Sequence, residues 1–600
     1  MAEQKVVLFG VDGLIPELVY KFAREGYLPN ISDMMEKGAT TELLPYISTW
    51  GDVNWVSFLT GQAPGNSWKG QSLPQQNNDH LIGLTQAEGK KCALVHFPNS
   101  ISVDETNHFS FAPFYGGKEK APFELASPRV FSTNLDKWPL KEVKESLGWP
   151  PIATVAHHEK NNRSSITKVN DEFTFTIQLT NGKDKEVSIN LVNDEEIKLI
   201  LDKDTVIPVQ VNSWSDWVTI DVDDAVEGTV RFKLVHYNRE QEELDIIQTQ
   251  ILDLAKISSD NTLAMELVDR NGPFIQSWTV KASPTEMYHE TSFEEANYQA
   301  TWLANAALCL LNEKGFDLFA TVFRINDETH HTSLGQYDPA SPFYSEKDSI
   351  LYEENMWKSY ILLDKTIGKI MKEKDDDTTL ILASDHGDVP NTYFCDVYLR
   401  LEECGLCVLD EYGTPVLEKS KAYLKDERGG LEIYVNLQGR EPNGIVALED
   451  YEAVQQEVFR AITTWSYEGK QVSALTLKKQ DASIIGYWGP LMGDVIFAYS
   501  QGFVWGTNKK DVVAKVSSPG ANHGPQIPSA RTEHSSNWGI FVASGRTSKT
   551  GYHRDSQVSG PYFMSDAGRT IGDLLGINDT STLDGRFMTD LFMNNSGSRG

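Results

Sequence analysis

The chain has 600 residues, with 85 Asp and Glu against 54 Lys and Arg, and a formal charge of -31. That length exceeds what one core organises, so two or more domains, or one large domain with insertions, are expected. The charge excludes nonspecific binding to a nucleic-acid duplex, which needs a basic face, and no run of 18 or more apolar residues is present to span a bilayer.

The segment Met1 to Lys5 lacks the basic-then-apolar order of a signal peptide, which makes a cytoplasmic location the expectation. Cys404 and Cys407 form a CxxC without a second pair to partner it, and they read as ordinary thiols.

Residues 5 to 9, Lys-Val-Val-Leu-Phe, predict a first buried strand running into Gly10-Val-Asp12-Gly13. A helix is expected from Pro16 to Arg24, closed by Gly26, and a second short one between Leu28 and Gly38. The stretch Ile47 to Gly61 begins with two hydroxyls, Ser48 and Thr49, and continues as a helix with Trp55, Phe58 and Leu59 on one face. A hydroxyl there either caps the helix or is a nucleophile where a helix N-terminus favours phosphate.

From about residue 160 to 240 the pattern changes to period two. Phe173 to Leu179 and Val187 to Leu191 alternate on either side of Thr180-Asn-Gly182, a hairpin signal. Further strands are expected at Ile197 to Leu201, Trp217 to Val222 and Thr229 to Val235. Ser292-x-x-Glu295 reads as a capping box opening a helix from Phe293 to about Glu313. Asp317 to Ile325 predicts a buried strand that ends in Asn326-Asp327-Glu328-Thr329-His330-His331. An amphipathic helix from about Ile350 to Met371 leads to the apolar strand Thr378 to Ala383, which ends in Asp385-His386-Gly387. Residues 400 to 510 read as an excursion of mixed α and β character. The loop Asn522-His523-Gly524 and the strand Gly539 to Ser544 follow, with a last helix around Thr570 to Leu575.

In open α/β sheets ligands gather beyond the carboxyl ends of the strands. Asp12, Asp327, His331, Asp385, His386 and His523 all fall at such ends or in a loop near one. Three carboxylates and three imidazoles suit two divalent metal ions, zinc first and manganese as the alternative. Two such ions hold the attacking and leaving oxygens of a phosphoryl transfer.

These residues resemble those of the alkaline phosphatase superfamily, in its type I phosphodiesterase/nucleotide pyrophosphatase branch. The resemblance rests on Val11-Asp12-Gly13, on Ser48-Thr49-Trp50 through Leu59-Thr60-Gly61, and on Asp327-x-x-x-His331. Ser384-Asp385-His386-Gly387, His523-Gly524 and the stretch Tyr434 to Val446 complete it. It implies an α/β fold with a central, mostly parallel sheet carrying helices on both faces. To this are added an inserted all-β domain and a smaller α+β cap. The core would be made of residues 1–160, 241–400 and 511–600, the β-rich insertion of 161–240, and the cap of 401–510.

The resemblance also assigns roles. One metal would take Asp327, His331 and His523. The other would take Asp12, Asp385, His386 and Thr49, the Thr being the nucleophile that attacks phosphorus. Asn54 would hold a phosphoryl oxygen. The sequence departs from its relatives in two places. The usual nucleophile position counted back from Gly61 is Gly51, so placing Thr49 there requires a two-residue insertion and leaves Ser48 as a rival. His534, in Glu533-His-Ser-Ser, rivals His523 as the late ligand. The expected activity is hydrolysis of a small phosphate ester, monoester or diester. The alternatives are a sulfatase or phosphonate hydrolase on the same core, or a non-catalytic binding protein. No Cys/Ser-x-Pro-x-Arg segment of the sulfatase kind surrounds residues 47 to 61.

Overall fold

The computed structural model describes residues 4–47, 51–65, 80–98, 108–113, 121–138, 146–147, 162–223, 226–425, 431–486, 489–524 and 526–593. The chain divides into two compact units. One is formed by residues 1–108, 144–153 and 307–600, the other by 109–143 and 154–306.

The first unit is an α/β domain built on one sheet. Its principal strands are β1 (Lys5–Val11), β2 (Ala39–Leu44), β3 (Cys92–Val95), β4 (Leu318–Phe323), β5 (Thr378–Ser384) and β6 (Gly539–Ser544), in the order β2-β6-β5-β1-β4-β3. β1 pairs in parallel with β4 and β5, and β4 in parallel with β3. β6 runs antiparallel to both of its neighbours. β4 and β5 are buried along their whole length, and β1 from Val6 onward, as expected of strands covered on both faces. Gly10 in β1 is required by packing, because a Cβ there would stand 2.6 Å from the Trp55 ring.

The helices used below are α1 (Pro16–Arg24), α2 (Pro29–Lys37), α3 (Gly51–Thr60), α4 (Ile325–Tyr337), α5 (Glu346–Glu373) and α6 (Met564–Leu575). α1 and α2 start on proline, whose missing N–H would be unpaired there in any case. α2 lacks a capping side chain of its own, and Asp364 of α5 accepts from its first amides, Asn30 at 3.0 Å and Ile31 at 2.8 Å. The segment after β4 differs from the expected strand-end loop. Residues 325 to 337 are helical, so Asp327 and His331 lie one turn apart on one face.

Within the same unit, residues 422–424, 432–435, 495–499 and 473–478 form a four-stranded antiparallel sheet. The helix Tyr451–Thr463 shares its apolar core. Arg440 pairs with the buried Asp494, which also accepts from Tyr451 Oη at 2.7 Å. This ion pair gives the Tyr434 to Val446 stretch a structural role in the excursion.

The second unit is β-rich. Strands 167–169, 172–177, 185–191, 196–200 and 206–210 form an antiparallel meander. Strands 163–165, 129–132, 243–248 and 232–238 form a second sheet. Their inward residues, Phe131, Phe175 and Phe232 among them, make one apolar core. The unit extends past residue 240 because Glu243–Gln248 pairs back onto both 232–238 and 129–132. The proposed capping box is also replaced. The helix begins at Glu290, and Ser292 donates back to the carbonyl of His289 at 2.6 Å. Glu295 is fully buried and accepts from Thr279 N at 2.9 Å.

Among the described residues no helix is long and apolar enough to cross a membrane.

Candidate metal centre

Two groups of metal-ligating side chains form where the strands of the first unit end. Asp12, Asp385 and His386 make one. Asp327, His331, His523 and Asp388 make the other. Within each group the donor atoms lie within 4.8 Å of one another.

The first group comes from the adjacent parallel strands β1 and β5. Asp12 follows β1 directly, and Asp385 follows β5. The backbone between them is tight. Gly13 adopts φ +67°, and its N–H donates to Asp385 Oδ1 at 3.2 Å. A Cβ on Gly13 would stand 2.9 Å from Asp327 Oδ1, so only glycine lets the chain pass. Gly387 is needed for the same reason, since a Cβ there would lie 2.0 Å from the carbonyl oxygen of Ser536.

The tautomers of two histidines follow from their partners. His386 Nδ1 is 2.9 Å from the Gly387 carbonyl, and His331 Nδ1 is 2.8 Å from the Ala521 carbonyl. A carbonyl only accepts, so each Nδ1 carries the hydrogen and each Nε2 is the nitrogen turned towards the carboxylates. His386 Nε2 faces Asp385 Oδ2 at 3.1 Å and Asp12 Oδ1 at 3.3 Å. His331 Nε2 faces Asp327 Oδ1 at 3.3 Å. Donors held about 2.0–2.1 Å from a tetrahedral zinc ion stand about 3.3 Å apart.

His523 sits just past a short antiparallel pairing in which Val389 faces Asn522 and Pro390 faces Ala521. Its Nε2 is 3.9 Å from Asp327 Oδ1. Its ring stacks on His386 with centroids 3.5 Å apart and planes 9° apart. The stack joins the two groups.

Burial and charge act against each other here. Burial raises the Asp385 carboxyl to about 7, with the neighbouring His386 pulling the other way. Burial opposes the His386 imidazolium, but Asp385 and Asp12 outweigh it and push its pKa well up. The same balance, with Asp327 and Asp388 as the anions, takes His331 up to about 10. Burial would raise Asp327, yet His331 and the other imidazoles hold it well below the usual carboxylate range. Burial and the His386 cation keep His523 neutral.

Several of these atoms lack any hydrogen-bond partner: Asp327 Oδ1, Asp385 Oδ2, His386 Nε2 and both oxygens of Asp388. The Asp327 and Asp385 carboxylates face the His331 and His386 imidazoles at 3.1–3.3 Å without completing hydrogen bonds to them. Nε2 atoms that give up their protons to a cation, together with convergent carboxylate oxygens, are what a divalent ion requires, so the residues fit the metals that the sequence implied.

Of the other expected site residues, Ser48 and Thr49 lie outside the described residues. Asn54 is buried in α3, and its side-chain oxygen accepts from Tyr46 N–H at 3.0 Å. His534 is half-buried and meets Tyr337 edge-on at 5.5 Å. Among the described residues it belongs to neither group.

Sequence reasoning missed two neighbours. Asp388, fully buried, falls two residues after His386, where Asp-His-Gly reads as a turn. Arg324 donates from Nε to Asp12 Oδ2 at 3.1 Å. Its position directly before α4, at the end of a buried strand, was the available signal.

A family model described as type I phosphodiesterase / nucleotide pyrophosphatase matches residues 6–68 and 248–526, more than half of the chain. The chain belongs to this family. It is therefore a phosphoric ester hydrolase of the alkaline phosphatase superfamily. The first matched segment lies in the first unit, the second takes in residues 248–306 of the second unit and 307–526 of the first, and together they include every expected ligand. No curated protein matches the sequence. Similar solved structures include human ectonucleotide pyrophosphatase / phosphodiesterase 5, at 12% identity and TM-score 0.44, covering 98% of this chain and 100% of that one. Another is wild-type alkaline phosphatase PafA, at 12% identity and TM-score 0.43, with 99% of each chain covered. A third is phosphonoacetate hydrolase from Sinorhizobium meliloti in complex with phosphonoformate, at 11% identity and TM-score 0.42, covering 96% of this chain and 95% of that one.

Proposed function

We propose that this hydrolase cleaves small phosphate esters with Thr49 as nucleophile and two divalent metal ions, zinc or manganese, as cofactors. The observation that carries the reading is the convergence of His386 Nε2, Asp385 Oδ2 and Asp12 Oδ1 at 3.1–3.3 Å, beside a second group of the same donor types.

Asp12, Asp385 and His386 would hold one ion together with Thr49, and Asp327, His331 and His523 the other. When bound, such ions stabilise charge on the attacking and leaving oxygens and favour ionised hydroxyls near neutral pH. The chain supplies the rest. Thr49 Oγ forms the bond to phosphorus as the bond to the leaving-group oxygen breaks. The phosphothreonine is then hydrolysed by water, which restores the hydroxyl. The amide hydrogens of Asn54 hold a non-bridging oxygen. With the fold charge at -31, local cations are needed to admit an anionic substrate.

Elemental analysis is expected to find close to two metal ions per chain, and chelation to abolish turnover. Bis-p-nitrophenyl phosphate or p-nitrophenyl phosphate should be cleaved faster than p-nitrophenyl sulfate. Full activity in metal-free protein would exclude the proposal, and preference for the sulfate would favour the sulfatase alternative.

The ionisation pattern gives a second expected result. In metal-free protein the raised His331 pKa stabilises the fold fully below its ordinary 6.5, and that contribution is lost as pH climbs through about 10. His386 acts in the same direction. Asp385, raised from 3.8 to about 7, loses its contribution earlier in the same upward scan. Metal-free protein should therefore lose thermal stability relative to metal-loaded protein between about pH 6.5 and 10. Metal uptake at neutral pH should release protons, measurable by calorimetry in buffers of different ionisation enthalpy. Parallel stability curves for the two forms would contradict this.

A further inference from the structure

The reading above leaves Asp388 without a task. Its side chain is fully buried, and neither oxygen has a hydrogen-bond partner. Two imidazoles face it. His330 Nδ1 lies 3.5 Å from Oδ2, and His331 Nδ1 lies 4.0 Å from Oδ1.

The hydrogens on these rings are directed differently. His331 gives its Nδ1 hydrogen to the Ala521 carbonyl and has none to offer Asp388. His330 stands at the end of a chain. Ile15 N–H donates to the Tyr360 hydroxyl at 3.3 Å, and that hydroxyl is 3.1 Å from His330 Nε2. Of the two partners of the Tyr360 hydroxyl, Ile15 N–H can only donate and Nε2 can accept, so the hydroxyl donates its hydrogen to Nε2. The His330 hydrogen then sits on Nδ1 and points towards Asp388 Oδ2. That nitrogen stands 3.5 Å from the oxygen without completing a hydrogen bond, and the other oxygen has no donor behind it.

The backbone brings this carboxylate to the second group. Val389 pairs with Asn522, so Asp388 and His523 are the next residues outward on two paired strands. A donor atom of Asp388 lies within 4.8 Å of those of Asp327, His331 and His523.

We propose that Asp388 is a fourth protein ligand of the metal ion held by Asp327, His331 and His523, fixed from behind by His330 and Tyr360. This rests on the two-metal reading above and adds a ligand to it. Ligating carboxylates are themselves held by outer hydrogen bonds, and His330 is placed to supply one. Two carboxylates and two neutral imidazoles balance the charge of a divalent ion. The second carboxylate also makes the site richer in oxygen, and so more accepting of manganese than a site with one.

The test is titration of metal-free protein with cobalt(II) alone, followed by calorimetry and by visible absorption, which reports the donors around the ion. Wild type is expected to bind two ions. Asp388→Asn should leave one site intact, weaken the other by more than about 100-fold and shift its absorption bands. That exceeds the roughly 10- to 100-fold typical of losing an outer group. Asp388→Glu, which keeps the carboxylate, should recover part of the affinity. His330→Gln should weaken the same site within the smaller range and leave the bands in place. Two ions bound to Asp388→Asn with wild-type affinity would overturn the proposal. So would a modest loss with unchanged bands, which would make Asp388 a positioning residue. Should Asp388→Asn fail to fold by circular dichroism, His330→Gln decides, and unchanged cobalt affinity there overturns the proposal. If wild type binds no cobalt, the two-metal reading itself fails and the added ligand falls with it.

Discussion

Replacing Thr49 with alanine is expected to remove turnover on any phosphate ester, by on the order of 10³-fold or more, while both metal ions stay bound. Thr49 lies two residues before α3, and the free N–H groups at a helix start favour an anion there. Asn54, in the first turn of the same helix, is buried, and its side-chain oxygen accepts from Tyr46 N–H. A side chain that makes the covalent bond to phosphorus cannot be replaced by a methyl group. Asp12, Asp385 and His386 would still hold their ion, so metal analysis separates lost chemistry from a lost site. Ser48→Ala should be mild. A large loss in Ser48→Ala with near-normal Thr49→Ala would move the nucleophile by one residue and lengthen the insertion relative to Gly51 from two residues to three.

The parts of the fold legible in the sequence are those where one physical signal dominates. β1 and β5 are built around short apolar runs, Val6 to Phe9 and Leu380 to Ala383, and are covered in the structure except at Lys5, and the Asp residues that follow them stand where such strands stop. The meander at 172–200 follows from strict alternation around an Asn-Gly turn. Signals in conflict misled. Residues 325 to 337 form a helix with almost no amphipathic contrast, because Asn326, Asp327, Thr329, His330 and Ser333 are polar and yet buried. A helix lined for binding loses the apolar stripe by which helices are recognised. Ser292-x-x-Glu295 has the spacing of a capping box, but Glu295 is drawn into a buried bond with Thr279, and the helix starts earlier. The β-rich unit continues beyond 240 because Glu243–Gln248 completes a sheet with strands far away in sequence, a partnership that no local pattern carries. Asp388 was hidden for a similar reason. Its meaning depends on His330 and His331 some 57 positions earlier and on the pairing of Val389 with Asn522.

His523→Ala is expected to empty one metal site, or to weaken it by more than about 100-fold, whereas His534→Ala should retain both ions. The two imidazoles differ in what already satisfies them. His523 has a side chain 12% exposed, stands 3.9 Å from Asp327 Oδ1, and lies flat against His386 of the other group. Burial and the adjacent imidazolium favour its neutral form, the form that ligates. Gly524, at φ +70°, follows it and lets the backbone turn away. His534 is half-buried in a turn closed by other atoms. Thr532 Oγ1 accepts from the backbone N–H groups of His534 at 3.0 Å and Ser535 at 2.9 Å, and Thr532 and Ser535 both donate to Asp338. Its ring contacts Tyr337, the last residue of α4, rather than the ligand-bearing first turns. Losing it would disturb the end of that helix and leave Asp327 and His331 in place. Metal titration of the two alanine variants decides between them. A site emptied by His534→Ala and kept by His523→Ala would exchange their roles, with Asp327 and His331 remaining the other ligands of that ion.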